Sequence, residues 1–466
     1  MKQFDVLMKL TRTTLVWAAV LCIAADMALA DYETAEYLQA AEVLSPQLIS
    51  GERFKVDERV QNDGYLNYYT IHSDFGDFEA ESTAMLRVRE REIDALASLE
   101  ELSGTEVFIS AMADAGMDEI RVIGAFASRP VATLKGLPQG VERMFSQYSR
   151  RADDAVADTR KYLASQKDLK LSDREYEDYK QSAVELTERY FKISDAERDW
   201  ARRLGTDPYT SNDTLRKAIK DVAWVDRLGR IAHRYSGLSI PYVGWVAKVN
   251  DAVWGKDPYE LRDFNRARLA ATGADEELID AFLENPWISP TRQTELTESI
   301  SILESATGLA GILRQSLNVV TEVEALYFVR SVSLLAWYHQ NQSGFASVNT
   351  ELAIPGGVKP DGTAVLLFPS DYVYWTQTMA QTALEYRALS EGHPGQKPEM
   401  WILGQVSERA RGELLELGFE LHTGFAAQVK ADIQSAAHSN IPRVEGVQGL
   451  FDRVFLSGWP LAENRH

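Results

Sequence analysis

The chain has a single cysteine in 466 residues, Cys22, and it lies within the first thirty. If those thirty are removed as a leader, disulfides, thiolate nucleophiles and cysteine-ligated zinc are all excluded from the remainder. Histidine is scarce too, and the seven that exist (His72, His233, His339, His393, His422, His438 and His466) stand far apart. No pair brackets a glutamate at the H-E-x-x-H spacing of a zinc peptidase. A G-x-S-x-G nucleophile elbow, a Walker loop, a dinucleotide glycine pattern and a D-x-[DN]-x-[DN]-G calcium loop are also missing. No cofactor is therefore implied.

Positive charge is in short supply, with 49 Lys and Arg against 69 Asp and Glu, for a net charge of −20. Phosphate contact draws on clustered Lys and Arg, so nucleic acid and anionic lipid are disfavoured as partners. Beyond the leader, long apolar runs are lacking as well. The most apolar stretch, Gly311 to Tyr338, is interrupted by Arg314, Glu322, Glu324 and Arg330. It falls short of the roughly 18 uninterrupted apolar residues a membrane span requires, and reads as one long central buried helix.

What is present begins with three zones of a signal peptide: Lys2, Lys9 and Arg12, then an apolar run from Leu15 to Ala25, then Ala28-Leu29-Ala30 as an A-x-A site. The uncharged stretch from Thr13 to Ala25 is shorter than the roughly 17 residues needed to cross a bilayer. A lipid on Cys22 would want a small residue before it, and Leu21 stands there. The expectation is cleavage between Ala30 and Asp31 and a periplasmic or extracellular, acidic, cysteine-free mature chain. At 45% apolar and 25% charged, the composition is that of a globular protein able to build a core without staples.

The hydrophobic pattern predicts an α+β, predominantly helical fold. Residues 31–140 read as a β-meander plus helices: Phe54 to Phe78 alternates in polarity around Asn62-Asp63-Gly64 and Asp74-Phe75-Gly76-Asp77, an antiparallel meander, and the pattern turns helical from Ser82 to Gly104. Val107 to Ser128 also leans helical. Residues 141–343 read as a multi-helix domain, with a solvated, charged helical pair over 149–204 and boundaries at Asp207-Pro208, Ile240-Pro241, Asp257-Pro258, Asn285-Pro286 and Ser289-Pro290. Residues 344–466 read as a small α/β unit. Its strands are expected at Ser347–Ala353, Ala364–Phe368, Met400–Leu403 and Phe419–His422, with turns at Pro355-Gly356-Gly357 and Asp361-Gly362. Helices are expected at Asp371–Leu389, capped by Ser370, and Glu408–Leu417, capped by Ser407.

Ligands of parallel α/β sheets sit at the carboxyl ends of strands, against helix N-termini. That rule selects Ser370, Asp371, Gln405 and Ser407 as binding candidates, with Tyr372 and Trp375 as stacking surfaces. The plainer alternatives are a cap for each serine and a core role for the aromatics, three apart on a helix. Asp207 and Tyr209, in the polar loop after Gly205, form a second candidate, with Thr210 or Ser211 expected to cap the helix near Asp213. Leu137–Tyr148 and Ser239–Val246 are the two segments suited to membrane contact, which would be peripheral at most. The function expected is a non-catalytic envelope scaffold, or a protein binding an unidentified protein or small-molecule ligand. A hydrolase of glycan or peptide with its site in the C-terminal unit is the alternative.

Overall fold

The computed structural model describes residues 32–114, 141–142, 144–145, 184–229, 247–390 and 396–429. The predicted leader and Cys22, most of the 149–204 pair with its turn at Leu171, and Ser239–Val246 lie outside the described residues. The architecture is mixed α+β: an N-terminal antiparallel sheet, a central set of helices and a C-terminal mixed sheet with helices.

The N-terminal sheet is built from β1 (Leu38–Gln39), β2 (Phe54–Val56), β3 (Arg59–Asn62), β4 (Asn67–Ser73) and β5 (Gly76–Glu81). β4 is its spine, pairing with β5 along one side and with β2 and β3 at opposite ends of the other. Strict alternation buries Val56, Val60, Tyr69, Ile71 and Ala80 against helix α1 (Thr83–Ser103). That helix begins at the Ser82 cap and closes at Gly104, as its sequence signals predict. Helix α2 (Glu106–Asp114) follows.

Helices α3 (Asp195–Leu204) and α4 (Asp213–Gly229) join this same core through Trp200, Leu204, Leu215, Ile219 and Val222. The described end of the 149–204 pair is thus docked on the body. Its charged stripe is solvated, but Arg198 is buried and reaches Asp195 at 2.6 Å.

Proline punctuation sets most of the central helices: α5 (Ala247–Gly255), α6 (Pro258–Leu269), α7 (Glu276–Leu283) and α8 (Pro290–Ile302). Asp257 and Glu260 form a capping box around Pro258, and Ser289 caps α8 with Pro290 in its first turn. The expected single helix from Gly311 to Tyr338 is in fact two, α9 (Leu309–Ser316) and α10 (Glu322–Asn341). Local polar groups terminate one and start the other. Asn285 Nδ2 donates to the carbonyls of Ser316 and Val319, the Glu324 carboxylate takes the Val320 N–H, and Thr321 caps α10. Backbone groups that a continuous helix would satisfy internally are satisfied instead by side chains. α10 is buried over most of its length, as expected.

In the C-terminal sheet, β8 (Ala364–Phe368), β10 (Glu399–Ile402) and β12 (Glu420–Thr423) run parallel, extended by antiparallel β7 (Gly356–Val358) and β6 (Ser347–Asn349) in the order β12-β10-β8-β7-β6. β7 corrects the predicted Pro355-Gly356-Gly357 turn. A Cβ on Gly357 would lie 2.2 Å from the Phe345 ring, so glycine is what lets the aromatic cover the strand. The helix expected from Asp371 is also displaced: Tyr372–Val373 is β9, paired with β11 (Gln405–Val406), and helix α11 (Gln377–Ser390) starts only after Thr376. Helix α12 (Glu408–Glu416) is capped by Ser407 as predicted.

Candidate functional site

The loop leaving β8 carries Ser370 and Asp371 to the carboxyl end of the parallel strands, where the strand-end rule places ligands. Neither does what its sequence context suggests. Ser370 caps no helix: it is fully buried and shares a 2.8 Å hydrogen bond with the Tyr327 hydroxyl of α10. Asp371 Oδ2 accepts the backbone N–H of Asn67 at 3.0 Å and of Thr83 at 3.1 Å. Asn67 opens β4 and Thr83 is the first residue of α1, so one carboxylate pins both N-terminal elements to the C-terminal sheet. Asp371 N and Tyr372 N both donate to the Tyr65 carbonyl, Tyr374 N donates to Gly64, and Asn62 Nδ2 donates to the Tyr372 carbonyl. The 62–67 turn is therefore hydrogen-bonded along the segment that leaves β8.

Two features show how tightly this corner is built. Ser82, just before α1, holds φ 132°, a value L-residues rarely adopt and the one such case among the described non-glycine residues. Across the loop, a Cβ on Gly404 would lie 1.9 Å from the Asp371 carbonyl oxygen, so only glycine allows β9 and β11 to approach this closely.

Burial pushes the Asp371 carboxyl up to about 6; the two backbone N–H groups and the Arg330 guanidinium oppose that without overcoming it. Arg330 is itself buried in α10, and desolvation brings it down to about 10 despite Asp371 nearby. Asp63, in the same turn, is raised by burial although it accepts from the N–H groups of Leu66, Tyr65 and Val141 and from the Tyr68 hydroxyl.

Tyr372, Tyr374, Trp375 and Ser407 gather on the adjoining face, where segment 32–37 lies across them. Glu33 N donates to the Trp375 carbonyl at 2.9 Å, Trp375 N donates to Glu33 Oε2 at 2.6 Å, and the Ser407 hydroxyl donates to that same oxygen. Ser407 Oγ meanwhile accepts the Ala410 N–H as cap of α12. Gln405 is exposed, pairing with Tyr372 through its backbone. Tyr372 and Trp375 are not helix neighbours, as the spacing suggested, but belong to β9 and the turn after it.

The second candidate pair lies elsewhere in the fold. Asp207 accepts the Thr291 hydroxyl at 2.6 Å and the Tyr209 N–H at 2.9 Å. Tyr209 is buried edge-on to Tyr190. The cap of α4 is Asn212, which accepts the Leu215 N–H, and not Thr210 or Ser211. Those two bind across the body: Thr210 donates to Glu92 Oε1, and Arg89 donates to Ser211. Arg89 Nη1 also meets Glu92 Oε2 at 2.7 Å, and Asn212 Nδ2 donates to the same oxygen at 3.0 Å.

Sequence reasoning missed Glu33, Asn67, Thr83 and Tyr327. Arg330 carried a signal, since a lone arginine in an apolar helix needs an acidic partner. Among the described residues, no group of three or more histidines and acids is placed to hold a metal ion. No described helix is long and apolar enough to cross a membrane. Val141, Met144 and Phe145 of the predicted membrane-contact segment are buried, with Phe145 stacked on Tyr65 at 4.7 Å and near Phe368. Compared with known proteins, the chain matches no family model, no curated protein and no solved structure.

Proposed function

We propose that this chain is a non-catalytic binding or scaffold protein of the cell envelope, exported through the leader in residues 1–30. The observation that supports this reading is the occupation of the strand end by the chain itself. The Asp371 carboxylate holds two backbone N–H groups, the Ser370 hydroxyl is paired with Tyr327, and the Ser407 hydroxyl is paired with Glu33. A hydrolytic carboxylate or serine needs a face open to substrate and water, and these groups are directed at the protein's own backbone and side chains.

One feature favours the alternative hydrolase: a buried carboxyl at about 6 beside a strained Ser82 resembles the setting of a general acid. Incubating the purified protein with peptidoglycan fragments and with a mixed peptide pool separates the two readings. No product is expected. Turnover that disappears in Asp371→Asn would establish the hydrolase instead. Location is tested by mass spectrometry of the exported protein, expected to begin at Asp31; an uncut N-terminus or a lipid on Cys22 would overturn it.

A further inference from the structure

Segment 32–37 has neither helix nor strand structure, yet it covers Trp375 and Ser407, two of the residues that the strand-end rule singled out. Its hold is concentrated in one residue. Glu33 supplies a backbone donor to Trp375 and a single carboxylate oxygen that collects two donors, the Trp375 N–H and the Ser407 hydroxyl. That oxygen sits at the N-terminal end of α12, where the helix's partial positive charge favours a carboxylate. Tyr32 packs, half-buried, against the C-terminal core, and at the other end Tyr37 lies under the Arg59 guanidinium at 3.5 Å. Thr34, Glu36 and Tyr37 are exposed.

Glu33, Glu408 and Glu42 all act on Tyr372, and Glu33 and Glu36 act on Tyr374, whose hydroxyl is pushed up to about 12 by burial first and by these charges after it. The segment is held by Glu33's hydrogen bonds and Tyr32's packing.

We infer that residues 32–37 are a releasable strap and that the face beneath, formed by Trp375, Tyr374 and Ser407, is a docking site for a peptide segment with an aromatic residue followed by a glutamate. Tyr32-Glu33 stands in for that peptide in the closed form. A ligand that keeps the aromatic-glutamate step meets the same donors. This deepens the binding reading above and rests on it.

The test uses the full chain, wild type and Glu33→Ala, titrated with a fluorescein-labelled peptide of the sequence of residues 31–37 and followed by anisotropy. Opening the strap raises the fraction of binding-competent protein, so Glu33→Ala should bind at least about tenfold more tightly than wild type. A peptide with alanine in place of its first glutamate should lose that gain, as should Ser407→Ala placed in the Glu33→Ala chain. Circular dichroism confirms that each variant is folded. Equal affinity of wild type and Glu33→Ala, or no saturable binding to the folded variant, overturns the strap. That result leaves the non-catalytic reading standing, because only substrate turnover removes it.

Discussion

Two buried carboxylates tie the N-terminal layer to the rest of the molecule, and they do so by opposite means. Glu92 on α1 is a full ion pair: Arg89 meets it at 2.7 Å, and Thr210 and Asn212 supply the remaining donors. Burial disfavours the Arg89 charge, yet Glu92, with Glu81 and Glu322 beyond it, more than compensates and raises the guanidinium. Asp371 has two backbone N–H groups and a guanidinium that burial has itself weakened, and it stays well above the usual carboxylate range. A buried acid supported mainly by neutral dipoles is a titratable group. The Asp371 clamp is the one set to respond to mild acid.

Breaking the first clamp should have the largest effect. Glu92→Ala leaves the Arg89 charge buried without its partner and strands Thr210 and Asn212, which should cost about 3 to 5 kcal/mol in urea denaturation followed by tryptophan fluorescence. A loss below about 1 kcal/mol would mean that Glu81 and Glu322 carry the compensation instead.

The second clamp should show itself in pH dependence. Asp371 is raised from 3.8 to about 6, so the native state binds the extra proton between those values, and stability falls as pH rises through that window. Two pH units correspond to about 3 kcal/mol at most. Asp63 and Glu81 are raised by burial and push in the same direction. Denaturation midpoints measured from pH 4 to 7 should decline in wild type and flatten in Asp371→Asn. An unchanged slope in the variant would assign the titration to Asp63 and Glu81.

The smallest effect is expected at the surface, where the contrast inverts. His72 lies between Asp77 at 2.8 Å and Asp57 at 3.0 Å, and their hydrogen bonds raise it above 6.5. Its stabilisation is complete below its unfolded value and lost as pH rises through the folded one. Because the ring is largely exposed, the contribution should stay below about 1 kcal/mol. An NMR titration giving His72 a value at or below 6.5 would remove this pair from the account.

Where each structural element obeys a local rule, the sequence was readable. Ser82, Ser289, Asp257 and Ser407 cap the helices they precede, the meander turns where Gly64 and Gly76 stand, and the parallel strands β8, β10 and β12 follow their apolar runs. The misreadings share one cause, which is a distant partner overriding a local preference. Ser370 looks like a cap until Tyr327, 43 residues away, takes its hydroxyl. The stretch after Ser316 looks helical until Asn285, from the loop between α7 and α8, takes the carbonyls of Ser316 and Val319. Gly356-Gly357 looks like a turn until Phe345 covers it.

The sequence by itself determined the fold class and the helix starts at Ser82, Asp257, Ser289 and Ser407, because caps and periodicity act over a few residues. Only the tertiary structure decided what the strand-end residues do. Asp371 and Ser407 have the composition of a ligand site, but their partners, Asn67, Thr83 and Glu33, lie 288 to 374 residues away in the chain. Burial and long-range hydrogen bonding set what such a group contacts within the protein, and neither is encoded in its local sequence.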